Sequence, residues 1–102
     1  MNDIVLMVQG YLLYPENYTK EQLKENYHNA VRAVSSVCAA VRAVSSDWHA
    51  ASYAVEAAKA AADAEEVIEC IFIAQEMLNE YFKYTGENKQ DYIDAINKGN
   101  KQ

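Results

Sequence analysis

Glu25 and His28 stand three residues apart, the E-x-x-H spacing by which one helix offers a carboxylate and an imidazole to a metal ion. A dinuclear centre of that kind needs a second such pair and two further Glu on facing helices. The other histidine, His49, has no Glu three positions before it, so neither a metal nor another cofactor is expected. Nucleophilic catalysis is not expected either: Ser and Cys are present, but neither histidine has an evident positioned partner and no Gly-rich phosphate loop exists. Cys38 and Cys70 lie 32 residues apart, without CxxC or Cys/His metal spacing, and read as buried free thiols.

Carboxylates are the more distinctive chemistry. Residues 1–46 hold four acids and four bases, 47–80 hold eight acids and one base, and 81–102 hold three acids and four bases; the middle segment, at −7, thus accounts for the whole of the chain's net charge of −6. On a helical wheel Glu65, Glu66, Glu69, Glu76 and Glu80 fall within about 100° of one another, a stripe roughly 22 Å long by helical rise. Lys and Arg are scattered, which argues against direct nucleic-acid binding, since that requires clustered cations to neutralise phosphates. The expected partner of such a stripe is a protein with a basic surface, for which the carboxylates could imitate a line of phosphates. A solvated outer face is the plainer reading.

A second polar stripe runs through His28, Arg32, Ser35, Arg42, Ser46 and His49 at alternating steps of four and three. Arg forks at that spacing suit a phosphate or carboxylate, and Tyr27 or Trp48 beside them could stack a base. The alternative site is therefore a nucleotide or similar anion held by Tyr27, His28, Arg32, Arg42 and Trp48. The competing reading is an ordinary outer face, with Arg32 and Arg42 meeting carboxylates such as Glu65, Glu69 or Glu76 across a subunit contact. Tyrosines cluster at Tyr11, Tyr14 and Tyr18 and, with Phe82, at Tyr81 and Tyr84; rings with a wet hydroxyl suit binding surfaces and the ends of a thin core, and antiparallel second and third helices would place Tyr81 and Tyr84 near Tyr18 and Tyr27.

The elements that position these groups are helices. Between Pro15 and Gly86 there is neither Gly nor Pro, which disfavours the many turns of an all-β domain. A short helix is expected from a cap at Asp3 to Leu13, since Pro15 disfavours helix at Tyr14. Thr19 to Gln22 match a capping box that opens a second helix, and Leu23, Tyr27, Ala30 and Val34 begin an apolar seam that continues through Val37, Val41 and Val44 to Trp48. A second seam runs from Tyr53 through Ala57, Ala60, Ala64, Val67, Ile71, Ala74 and Leu78 to Tyr81, out of register with the first. Ser45, Ser46 and Asp47 are N-cap types, so a turn is expected there, folding the third helix antiparallel onto the second. The alternative is one helix over residues 20–84, about 95 Å long, which only a multimer could bury. Thr85 and Gly86 end the third helix, and Asn88 caps a last one from Lys89 to Lys98. Ala30–Ser36 and Ala40–Ser46 both read AVRAVSS, but an offset of ten residues turns a helix by about 1000° and makes no solenoid period.

The expectation is thus a single all-α domain over 1–102, an antiparallel hairpin of two long helices with a short helix at each end. Segment 67–74 is apolar nearly all round, which a two-helix hairpin cannot cover, so the short helices or a second copy must lie on it, and a homo-oligomeric bundle is expected. No window approaches the roughly 18 to 20 apolar residues of a membrane span, and the residues before Ile4 do not form a secretion signal; the expected location is the cytoplasm. Size and charge together point to a non-enzymatic interaction protein that binds and inhibits a macromolecule, of the kind phages and mobile elements deploy against a host defence or nucleic-acid enzyme.

Overall fold

Asn2 opens the first helix: its side-chain oxygen accepts the N–H groups of Ile4 (2.9 Å) and Val5 (3.1 Å), two of the donors that a helix start leaves unpaired. The cap is thus Asn2 rather than Asp3, and α1 runs over Asp3–Leu13. The computed structural model describes the backbone of residues 2–41, 45–64 and 66–100, and the side chains of these save 35–41, 45–48 and 100. Four further α-helices follow α1: α2 (Lys20–Val41), α3 (Ser45–Asp63), α4 (Cys70–Thr85) and α5 (Lys89–Asn100). A 3-10 turn at Pro15–Asn17 links α1 to α2, and there is no strand among the described residues.

The local signals at the helix ends act as their chemistry requires. Thr19 Oγ1 accepts the Gln22 N–H (3.1 Å) while Gln22 Oε1 accepts the Thr19 N–H (2.8 Å), the reciprocal pair of a capping box. Gly86 closes α4 at φ +72°, the left-handed conformation that a side chain disfavours. Asn88 Oδ1 accepts the Gln90 N–H (2.8 Å) at the start of α5, which continues through Gly99.

The expected long third helix is two helices. α3 stops at Asp63, the chain turns through 64–69, and α4 returns antiparallel along α3. Asp63 O accepts both the Glu66 N–H (3.0 Å) and the Val67 N–H (2.9 Å). No Gly or Pro stands at the break, and the carboxylates of Asp63 and Glu66 do not favour a helix end, whose exposed carbonyls repel them; a continuous helix would set Glu66 beside Glu69 one turn on, a like-charge pair costing about 0.2–0.5 kcal/mol. Ending α3 at Asp63 instead puts Glu69 in the cap position of α4, where negative charge is favourable.

The hairpin of two long helices is thus corrected to an up-down-up layer of α2, α3 and α4. Ion-paired Lys20 and Glu66 place the start of α2 beside the end of α3, and stacked Tyr53 and Tyr84 place the start of α3 beside the end of α4. Principal extents of 42 × 28 × 21 Å rule out the 95 Å single helix. The connection at 42–44 lies outside the described residues. α3 begins at Ser45, so Ser45, Ser46 and Asp47 occupy its first turn.

Alanine makes the layer possible. Ala57, Ala58, Ala60, Ala61 and Ala62 of α3 are buried and together span about 200° of its circumference, and their small side chains let α2, α4 and α1 approach one central helix. The large fully buried side chains are Leu23, Leu78, Val5, Val8 and Tyr92, so α1 fills space that the alanines leave. α1 touches all four other helices, and α5 lies on α1. Val67, Ile68, Phe72 and Ile73 nonetheless stay exposed, so the short helices do not cover the outer side of segment 67–74.

Candidate partner-binding surface

The connection between α3 and α4 brings the most exposed large apolar side chains among the described residues to one corner. Ile68 is 67% and Phe72 69% exposed, with Val67 and Ile73 about half exposed beside them. Ile71 and Cys70, on the inner side of the same turn of α4, are half-buried, and Ala74 is fully buried. An apolar cluster left open at this density marks an interaction site more often than a solvated surface. The apolar run was legible in the sequence. What the sequence did not reveal was the break that carries it to a corner.

Of the predicted carboxylates, Glu69, Glu76 and Glu80 share one side of α4, seven and four residues apart, the first two exposed and Glu80 half-buried. Glu66 sits in the turn and takes an ion pair and hydrogen bond from Lys20 of α2. That bond, ahead of the lysine's charge alone, holds its carboxyl below the usual range. Glu65 lies outside the described residues. The stripe is thus a three-carboxylate line on α4 beside the corner, with Glu66 turned toward α2. Lys20 and Lys24 are near Glu66, while no described cation pairs with Glu69, Glu76 or Glu80.

The arginine stripe is only partly described, since the side chains of Arg42 and Trp48 lie outside the described residues. Arg32 is exposed, its guanidinium 3.3 Å from Glu25 of the same helix, and its Nε donates to the His28 carbonyl (3.4 Å). Tyr27 and His28 are ring neighbours at 5.8 Å. Glu25 is thereby engaged by Arg32, and no group of three potential metal ligands occurs among the described residues. Cys70 is a free, half-buried thiol; the Cys38 side chain lies outside the described residues.

Tyr84 does not lie beside Tyr18 and Tyr27. Because the chain reverses at 64–69, the end of α4 lies beside the start of α3, not the start of α2. Tyr84 packs between α3 residues His49 (ring centroids 5.2 Å apart) and Tyr53 (5.4 Å, near-parallel). The signal was present as two i,i+4 pairs, His49 with Tyr53 and Glu80 with Tyr84, but their meeting depends on the break. Burial, then Tyr84 and Glu80, raises the Tyr53 hydroxyl above its usual range.

Tyr81 takes part in a different cluster. Its hydroxyl donates to Glu87 (3.1 Å to each oxygen), as does that of Tyr92, which in turn accepts the Asn2 N–H (3.0 Å). Burial raises both hydroxyls above the usual tyrosine range, the acceptor carboxylate adding to the shift at Tyr92. The Asn2–Tyr92 bond, with Tyr14 Oη to Asn97 Oδ1 (2.5 Å), fastens α5 to the two ends of α1. No helix among the described residues is long and apolar enough to cross a membrane. No protein-family model, curated protein or solved structure matches the chain.

Proposed function

We propose that this chain is a non-catalytic interaction protein whose α3–α4 corner and outer α4 side bind a partner protein and inhibit it. The observation that carries the reading is the exposure of Ile68 and Phe72, 67% and 69%, beside the carboxylates Glu69 and Glu76. Protein interfaces combine an apolar centre, which loses its water on binding, with a polar rim that selects the partner. Here the centre is the corner and the rim is acidic, so the partner offers an apolar recess bordered by Lys or Arg. A second copy is the weaker occupant, because pairing two such corners brings carboxylates of one sign together. Nucleic-acid enzymes and host-defence proteins have surfaces of the required basic kind, and a phage or mobile-element accessory protein is the role that fits. The nucleotide-binding alternative gains nothing from Arg32, whose guanidinium faces Glu25.

The test is affinity capture with the whole chain and two variants, Phe72→Ser and the pair Glu76→Lys with Glu80→Lys, each checked for an unchanged helical signal. A basic protein retained by the wild type and lost by both variants is the expected result. Retention unaffected by either refutes the surface. Sedimentation of the same samples identifies the other occupant: a dimer that Phe72→Ser dissociates would assign the corner to a second copy.

A further inference from the structure

The far end of α4 carries a second chemistry. His49, Tyr84 and Tyr53 form a run of three rings with centroids 5.2 and 5.4 Å apart and planes tilted by 31° and 25°. His49 is exposed, Tyr84 is 43% exposed and Tyr53 is half-buried. Glu80 stands one helical turn before Tyr84 and close enough to Tyr53 to act on its hydroxyl. Lys83, three residues from Glu80, makes no ion pair with it within 4 Å. The rings cannot be a nucleobase platform in this setting, because Glu76 and Glu80 would repel the phosphates that accompany a base.

We infer that His49, Tyr53, Tyr84 and Glu80 form a binding site for a guanidinium group, presented by an arginine of the partner protein. Guanidinium is planar and weakly hydrated, so it stacks on an aromatic ring while its N–H groups donate to a carboxylate; an ammonium does the second but gains less from the first. The inference rests on the docking surface proposed above and deepens it. About three and a third helical turns separate Phe72 from Tyr84, and Glu76 and Glu80 lie between them. An apolar residue of the partner would seat at the corner and an arginine at the ring stack.

The test is NMR titration of the whole chain with a blocked Gly-Arg-Gly tripeptide and its lysine and citrulline counterparts, following the ring protons of His49, Tyr53 and Tyr84. The arginine peptide is expected to bind about threefold more tightly than the lysine peptide, with its side-chain methylenes shifted upfield by the rings. Glu80→Gln and Tyr84→Leu should each weaken it about threefold, while Tyr84→Phe, which keeps the ring and the packing, should not. Equal response to arginine and lysine, or binding unchanged in Glu80→Gln, overturns the site and leaves only general attraction to an acidic surface. The two readings fail separately. If the tripeptide does not bind but Phe72→Ser still abolishes partner capture, the guanidinium site is wrong and the corner stands. If the tripeptide binds and Phe72→Ser leaves capture intact, the corner is wrong and the guanidinium site stands.

Discussion

Replacing Gly10 by Ala tests whether the approach of Tyr18 to α1 is a real constraint. In an ordinary helix interior the change stabilises by about 1 kcal/mol, because Gly loses more backbone freedom on folding than Ala. Here a Cβ at position 10 would stand 2.0 Å from the Tyr18 hydroxyl oxygen and 2.8 Å from the ring carbon bearing it. No rotation of the methyl relieves that, so the ring must leave its seat. Tyr18 is mostly buried, and full burial of a large apolar side chain contributes about 1.5–3 kcal/mol, so displacing this ring costs about 1.5–2 kcal/mol. The balance is a loss of about 0.5–1 kcal/mol for Gly10→Ala alone. With Tyr18→Ala already in place the clash is gone, and Gly10→Ala should then stabilise by about 1 kcal/mol. Urea denaturation of the four proteins in this cycle, followed by circular dichroism, reads both signs, and the coupling should be about 1.5–2 kcal/mol. Stabilisation by Gly10→Ala in both backgrounds would refute the reasoning, since it would mean that Tyr18 does not rest on Gly10.

The other glycines give a contrasting pair. Gly86→Ala should destabilise by about 1 kcal/mol through its φ of +72° alone, as nothing lies within 4 Å of the added carbon, whereas Gly99→Ala in α5 meets open space and should be neutral or stabilise by a few tenths of a kcal/mol; thermal melts separate the two. Ala58→Leu forces a large side chain into a fully buried site in the centre of the layer and should cost about 1–3 kcal/mol in a denaturant titration, while Phe72→Ser should leave stability nearly unchanged. Alkali should unfold the protein through Tyr81 and Tyr92. Both hydroxyls are raised above the ordinary value of 10.0 on folding, so the folded chain holds protons that the unfolded one releases; their contribution is whole below that value and is lost as pH climbs through the folded values. Tyr92→Phe should flatten the fall in stability above pH 10, measured by denaturant midpoints across the range.

The helix class, the start of α2, the end of α4 and the cap at Asn88 were legible because each rests on a local pattern of a few residues. Even the buried seam of α3 and α4 was legible: Ala57, Ala60, Ala64, Ala74, Leu78 and Tyr81 are all buried as their spacing requires. The fold between them was not. Val67 continues the seam without a flaw yet is half exposed, because α3 ends at Asp63, and periodicity carries no information about where a seam is interrupted. Once the break is missed, every long-range inference past it reverses: Tyr84 is assigned to Tyr18 and Tyr27 instead of His49 and Tyr53, and the corner is assigned a cover. The carboxylates of α4 survive this error because their spacing is internal to one helix.

The bond from Asn2 to Tyr92 spans ninety positions and joins the first helix to the last. Forming it closes almost the whole chain into a ring, an entropic cost that only the assembled layer of α2, α3 and α4 can offset. The closure is expected to form after neighbouring helices have paired and to open first. Slow amide exchange in α1 should therefore depend on a helix that is its most distant neighbour in sequence, so that Tyr92→Ala frees the protons of Val5 and Val8 as effectively as a cavity cut beside them.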